Sequence, residues 1–447
     1  MDTPNPLLET LDWLLAEAKA QGADAADAAV FESLATGLSY RMGKLEDVER
    51  SESRDLGLRV FIGKRQAAVS STDLSRAALK TVAERAVSMA RLAPEDPYCG
   101  LAPREQLAKT WPSLDLEDWN EPSAERLAQM ARDCEGAALA VAGVTNSEGA
   151  GATFGRGAMA LATSDGFRGA YAGTTASVSV SVLAGEGASM QRDYEMSQAR
   201  FMADLDRPED VGRTAAQLTL KRLNPRKVAS QSAPVVFDPR VSASLVGHFA
   251  GAIHGMAVAR GTSFLKDKMG QQVFARGVTI VDDPHRARGL RSRPFDGEGV
   301  ANARMTLLDD GVIRSWLLDS SAARQLGLKT LGHAARGAGG PPSASTTNIY
   351  MQAGTISRKE LIGGIVSGLY VTEMIGSGVN GVTGDYSRGA AGFWIEKGEI
   401  AYPVNEITIA GNLKEMFLHT TPASDLEFRY GVNAPTLLVE GMTIAGA

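Results

Sequence analysis

The sequence predicts an α+β protein: an N-terminal mixed α/β region in two parts, followed by a β-rich, mainly antiparallel C-terminal domain with a few helices. Three observations point there. At 447 residues the chain is too long for one ordinary core. Up to about residue 230, stretches of helical apolar spacing alternate with β-prone runs. Beyond it, short β-leaning runs bounded by Gly, Pro, Asn and Asp dominate. The expected parts are residues 1–95, 96–230 and 231–447.

The first element is an amphipathic helix, because Leu7, Leu8, Leu11, Leu14, Leu15 and Ala18 recur at helical spacing. Ala26 to Arg65 reads as a strand meander, with Gly37, Gly43, Gly57 and Gly63 at turns. Leu74, Ala77, Ala78, Val82, Ala86 and Ala90 mark a second helix behind a Ser-Thr-Asp cap, closed by Pro94 and Pro97. A proline-rich connector, Asp96 to Trp119, leads to a helix that opens at Pro122 and reaches Glu135. Residues 138–184 read as strands; from Ser177 to Val182 serines alternate with valines, the pattern of a half-buried antiparallel strand. Pro208 to Leu223 is helical, and Asn224-Pro225 breaks it. The C-terminal part opens with a short strand, Pro234 to Phe237, and a helix bearing Val241, Leu245, Phe249, Ile253 and Met256. Among the later β runs, Asp310-Gly311 and Lys397-Gly398 are hairpin turns.

A formal net charge of −6 and a mean hydropathy of −0.10 describe a globular chain with no broad basic face, so nucleic acid is not an expected partner. Arg288, Arg291 and Arg293 form the one dense basic cluster, in a Pro/Gly/Asp loop that reads as a solvated turn or an ion-pair site. No run of 18 apolar residues exists, so no membrane span is expected. Two sparse cysteines, Cys99 and Cys134, and an N-terminus without a secretory pattern make the cytoplasm the expected location.

All five histidines follow residue 230, without metal-ligand spacing. His248 and His254 lie six apart, about 240° around a helix, so one helix cannot aim both at a single ion. No Cys-x-x-Cys, Gly-x-Ser-x-Gly or P-loop is present. Gly376 to Gly381 fits G-x-G-x-x-G, but the following VTGDYSRGAAG suits no helix, which makes it a glycine turn. The acidic candidates are Asp282-Asp283 and Asp296-x-Glu298. Residues two apart in an extended segment share a face, so Asp296 and Glu298 suit an acid/base or metal-binding pair, or partners for Arg291 and Arg293.

Several long segments resemble the TldD/PmbA family, and within it the PmbA (TldE) branch. They are Gly57-Leu58-Arg59-Val60, Ser71 to Ser75, Thr163 to Phe167, Arg260 to Leu265, Asp283-Pro284, Ser292 to Gly299, Val382 to Phe393, Ile395 to Val404 and Thr408 to Asn412. The resemblance implies the same three-part architecture and a two-subunit protease. In it, the TldD subunit binds metal through a His-Glu-x-x-x-His helix and a later cysteine, and the PmbA subunit lacks these ligands. Counting back from Gly261, the expected first His falls near Val246, the Glu near Gly247 and the second His near Gly251. His248 and His254 are out of register, and the C-terminal domain contains no cysteine. A zinc protease needs about three protein ligands and a base. No catalytic residue and no metal or other cofactor is therefore expected in this chain, and zinc is expected in the partner.

The expected role is that of a non-catalytic subunit docked on a TldD-like metalloprotease that processes peptides and unfolded segments, including peptide-antibiotic maturation and antitoxin removal. Asp296, Glu298, Gly384 and Asp385 are the candidate peptide-binding or loop residues, the last two in the Gly-rich stretch Gly376 to Gly392. Two alternatives stay open: a self-sufficient hydrolase using Asp282, Asp283, Asp296 and Glu298, and a homodimeric binding protein.

Overall fold

A computed structural model describes residues 5–446. The first 200 residues build one six-stranded antiparallel sheet. Its strands are β1 (Ala25–Arg41), β2 (Lys44–Ile62), β3 (Arg65–Ser71), β4 (Val144–Thr163), β5 (Arg168–Ala184) and β6 (Gln191–Ala199), in the order β3-β2-β1-β4-β5-β6. Both expected N-terminal parts therefore share a single sheet, because β1 pairs with β4 from Asp27↔Thr163 to Tyr40↔Ala150.

Four helices cover one face: α1 (Pro6–Ala20), α2 (Arg76–Leu92), α3 (Ala124–Leu139) and α4 (Pro208–Lys221). Local chemistry sets their ends. Asn5, Ser75 and Ser123 accept backbone N–H groups of α1, α2 and α3 in turn. The first pair packs on Ala28, Val30, Leu58, Val60 and Ala160, and the second on Leu38, Phe154, Val178, Val180 and Val182. The valines of β5 are buried and its serines half-exposed, as the alternation requires. Gly43 and Gly63 sit in hairpin turns at positive φ, whereas Gly37 and Gly57 lie inside β1 and β2. Gly57 is a close-approach site: a Cβ there would stand 2.3 Å from the Ala338 carbonyl oxygen.

The C-terminal domain opens with β7 (Gln231–Phe237), α5 (Pro239–Ala252) and α6 (Gly255–Ala259). A smaller sheet follows, from β8 (Ile280–Asp283), β9 (Met305–Asp309) and β10 (Val312–Ile313), then α7 (Ser320–Leu326), the short hairpin β11 (Ala334–Ala335) and β12 (Ser343–Ala344), and β13 (Asn348–Met351). After α8 (Arg358–Gly363) come the long strands β14 (Ser367–Val379), β15 (Asp385–Glu396) and β16 (Glu399–Asn412). The chain closes with α9 (Leu413–Leu418), β17 (Thr420–Pro422), β18 (Val432–Asn433) and β19 (Leu437–Ala445). The larger sheet runs β16-β15-β14-β7-β19-β17, and a further β16–β19 pairing closes five strands into a ring. Asp310-Gly311 and Lys397-Gly398 both take positive φ and turn the hairpins. At the centre, Leu245, Val246, Phe249 and Ile253 pack with Phe237, Phe274 and Phe417.

The two regions meet on the other face of the N-terminal sheet, where Phe295 stacks edge-on to Phe167 and Trp111 at 4.9 Å each. Gly57→Ala forces the β11–β12 loop off β2 and is expected to cost about 1–3 kcal/mol in denaturant unfolding. Gly37→Ala, which meets only a Thr153 methyl at 3.5 Å, is expected to be neutral or mildly stabilising.

Candidate functional site

Helix α5 begins where Asp238 accepts the Arg240 N–H at 2.9 Å and Pro239 fixes the first turn. Its buried stripe is Ser242, Leu245, Val246, Phe249 and Ala252. Val246, where the resemblance places a first ligand, is fully buried in the core. Gly247 and Gly251 lie four apart on an exposed face, and a Cβ at either would meet nothing within 4 Å. Open space thus stands where a base and a second ligand would project. The residues present do not fit a zinc ion.

The helix ends at Ile253, and His254 begins α6 on a separate short segment, its Nε2 3.3 Å from the Ser343 hydroxyl. His248 points elsewhere, with its ring edge-on to Tyr386 at 5.9 Å; burial and the Arg388 charge hold it below the ordinary imidazole range. The structure does not bring these two histidines together on one face. Among the described residues, no three His, Cys, Asp or Glu side chains gather to hold a metal ion.

Asp296 and Glu298 lie in a buried turn at the seam with the N-terminal sheet, 1% and 5% exposed. Both are occupied. Asp296 accepts the N–H groups of Glu298 and Val300 at 2.8 Å and of Ala334 at 3.1 Å. Glu298 accepts the Ser320 N–H at 2.8 Å and stands 3.9 Å from the Arg59 guanidinium. Burial raises both carboxyls, and the Glu298 charge raises Asp296 further. Asp282 accepts the Thr347 N–H and hydroxyl at 2.7 and 2.8 Å, and Asp283 accepts the His285 N–H at 3.0 Å. Each of these four carboxylates accepts at least one backbone N–H.

Gly384 and Asp385 form a separate cluster at the β14–β15 turn. Asp385 accepts from the Thr383 hydroxyl at 2.6 Å and the Asn412 amide at 3.0 Å, which lowers its carboxyl. Gly384, at φ +88°, closes the turn by donating to the Asn380 carbonyl at 2.8 Å. The G-x-G-x-x-G stretch is strand and hairpin tip, with no helix after it.

Residues outside the predicted set carry the electrostatics of the seam. Asp27 on β1 is 1% exposed, with Arg59 Nε at 3.0 Å and Arg336 Nη1 at 2.8 Å. Burial pushes the Asp27 carboxyl up, but Arg336 and Arg59 outweigh it and hold it below the ordinary range. No local motif marks these positions, because the partners come from β1, β2 and the β11–β12 loop. Arg288, within the basic cluster, is an ion-pair residue, bonded to Asp115 at 2.6 Å and Asp204 at 2.9 Å.

Two predictions follow from this chemistry. Asp27→Asn leaves the buried Arg336 without its counter-charge and Arg59 with only Glu298 at 3.9 Å, and is expected to lower unfolding stability by about 3–5 kcal/mol. His333, buried 4.0 Å from Asp282, is pushed down to about 4 by burial and Arg293. The folded state then binds fewer protons than the unfolded one between about 4 and the ordinary value of 6.5, so this residue's contribution is lost as pH falls. The stability gap between the native chain and His333→Gln is expected to shrink by about 2–3 kcal/mol from pH 7 to pH 4.

Residues 26–90, 117–223 and 230–446 match domain 1, the central domain and the C-terminal domain of the PmbA/TldA metallopeptidases. The chain is 41% identical over 425 residues to Metalloprotease PmbA of Escherichia coli O157:H7, covering 95% of this chain and 92% of that protein. It is 34% identical over 430 residues to the Metalloprotease PmbA homolog of Haemophilus influenzae, covering 94% and 92%. The Metalloprotease TldD homolog of the same organism is 26% identical over 295 residues, covering 60% and 61%. Among solved structures, TldE from Thermococcus kodakarensis superposes with a TM-score of 0.87 at 20% identity, covering 98% and 100%, and shares the fold. With three matched domains in order and a 41% identical relative covered almost end to end, the chain belongs to the PmbA/TldD metallopeptidase family.

Proposed function

We propose that this chain is the non-catalytic subunit of a two-subunit metallopeptidase, paired with a TldD-type chain that holds the zinc and processes peptides and unfolded protein segments. One observation carries the reading: in a metallopeptidase-family chain, α5 presents Gly247 and Gly251 to open space where a protease helix needs a base and a ligand. The one imidazole on this helix, His248, faces Tyr386 rather than that open space, so no side chain of α5 supplies the base or the second ligand at those positions. The occurrence of both a PmbA homolog and a TldD homolog in Haemophilus influenzae supports a pairing of related, non-identical chains.

Two surfaces suit the handling of extended chain. Between residues 44 and 55 the outer edge of β2 has no partner strand among the described residues, since β3 pairs only with Leu56 to Ile62. An added peptide strand would find free backbone groups there, whatever its side chains. Beyond the C-terminal domain's footprint, the uncovered sheet face bears small residues such as Gly151, Thr153, Gly155, Ser177 and Ser179. Such a wall leaves room for substrate in a chamber between subunits. Peptide-antibiotic maturation and antitoxin removal are the processes this role fits. The two free, buried cysteines suit a cytoplasmic setting, and no described helix is long and apolar enough to cross a membrane.

The test is cleavage of a denatured protein by this chain, by a TldD-type partner, and by both together. Cleavage is expected only when the partner is present, and to rise on adding this chain. Cleavage by this chain alone, undiminished by removal of contaminating proteases, would overturn the reading. In the mixed assay, Asp296→Ala with Glu298→Ala is expected to lower activity only in proportion to the folded, partner-bound fraction, measured by circular dichroism and size-exclusion chromatography.

A further inference from the structure

Where the N-terminal sheet, the connector and the C-terminal domain meet, a cleft of about 360 Å³ opens between Tyr171 on β5, Arg200 just past β6 and Arg293 in the loop after β8. Phe31, Leu116 and Met159 give it apolar walls. Glu32 also lines it, but Arg54 holds that carboxylate at 2.6 Å.

The two guanidiniums share an unusual feature. Arg200 donates to the carbonyls of Leu290, Thr174 and Gly289 at 2.6, 3.1 and 3.2 Å. Arg293 donates to the carbonyls of Ala334, His333 and Ser345 at 2.9, 3.3 and 3.3 Å. Among the described residues neither forms an ion pair, in contrast to Arg336 nearby, which is matched by Asp27. Carbonyl dipoles fix the planes of these groups without cancelling their charge; Arg293 is felt by the buried Asp282 and Asp296 carboxyls but bonded to neither, and a half-buried cation without a bonded counter-ion favours an anion. The Tyr171 hydroxyl has no hydrogen-bond partner among the described residues, and burial keeps it protonated against the pull of Arg293 and Arg200. A free donor and two guanidiniums without an ion-pair partner thus line one apolar-walled cleft, with Arg336 also at its wall. A neighbouring groove of about 430 Å³ shares Tyr171 and carries Trp111, Trp119 and Pro294, which extends the apolar surface outward.

We propose that this cleft binds the C-terminal carboxylate of a peptide whose last side chain is apolar. The carboxylate sits between Arg200, Arg293 and the Tyr171 hydroxyl, the side chain packs on Met159 and Phe31, and the preceding residues run along the tryptophan-lined groove. The carboxylate chemistry rests on the cleft alone; the choice of a peptide as its carrier rests on the function proposed above. Both ends of a cleaved chain occur in such an enzyme, and this cleft is suited to the carboxylate end.

The experiment is titration calorimetry on the full-length chain, without metal or partner, using N-acetyl-leucine, N-acetyl-leucinamide and the α-amide of N-acetylaspartic acid. N-acetyl-leucine is expected to bind at least about tenfold more tightly than either of the others, the scale of one charge-assisted hydrogen bond. Tyr171→Phe removes a hydroxyl that no protein group uses, so it is expected to weaken N-acetyl-leucine about tenfold with an unchanged melting temperature. Arg200→Gln is expected to erase the preference for acid over amide; because it removes three structural hydrogen bonds, Tyr171→Phe is the deciding variant. Equal binding of acid and amide, no binding of the acid, or full binding by Tyr171→Phe would overturn the proposal. Tighter binding of the aspartyl amide would overturn the assignment to a chain terminus. Since no cleavage is measured, any of these failures is separate from a failure of the subunit reading.

Discussion

The architecture depends on one buried charge cluster, the Asp27 carboxylate held between Arg59 and Arg336. Asp27 and Arg59 face each other on neighbouring strands, at a register fixed by the β1–β2 hairpin. Arg336 arrives from the far domain, on the loop that passes over Gly57. Each charge has lost its water, and their mutual contact, with Glu298 3.9 Å from Arg59, offsets that loss. The cluster therefore penalises any arrangement in which the C-terminal domain leaves the sheet or docks one strand out of register. Apolar contacts at Phe295 supply attraction without such direction; the ions supply the direction.

Around that seam, acidic side chains act mainly on backbone. Asp296 gathers three N–H groups, Asp319 caps α7 and also accepts the Ala344 N–H at 3.1 Å, and Asp282 ties Thr347 to β8. This explains how a stretch with little regular structure between β8 and β13 stays ordered: carboxylates take the place of ladder hydrogen bonds. The acidic residues that suggest catalysis in the sequence hold backbone N–H groups in the fold.

Much of this was legible in the chain. The Ser/Val alternation in β5 and the Asp310-Gly311 and Lys397-Gly398 turns are local signals, and local physics decides them; the α2 cap read at Ser71-Thr72-Asp73 falls instead at Ser75, and α3, read from Pro122, is capped by Ser123. The pairing of β1 with β4 is not local: more than a hundred residues separate Asp27 from Thr163, and nothing in either strand names its partner. Gly57 reads as a turn residue in sequence, whereas its value lies in admitting the Ala338 backbone against a strand. Asp27, Arg59 and Arg336 look like ordinary surface charges until folding brings them together. For the site, resemblance placed Val246, Gly247 and Gly251, and the structure adds why the substitutions are compatible: one faces the core and two face space.

Family membership and the absence of a metal-ligand group among the described residues are both accommodated by the proposal that the chemistry belongs to a partner. The most direct measurement is elemental analysis of the purified, folded chain after equilibration with zinc and removal of loosely bound ion. The account predicts zinc well below one per chain, unchanged by Gly251→Ala. Stoichiometric zinc retained by the chain alone would contradict it.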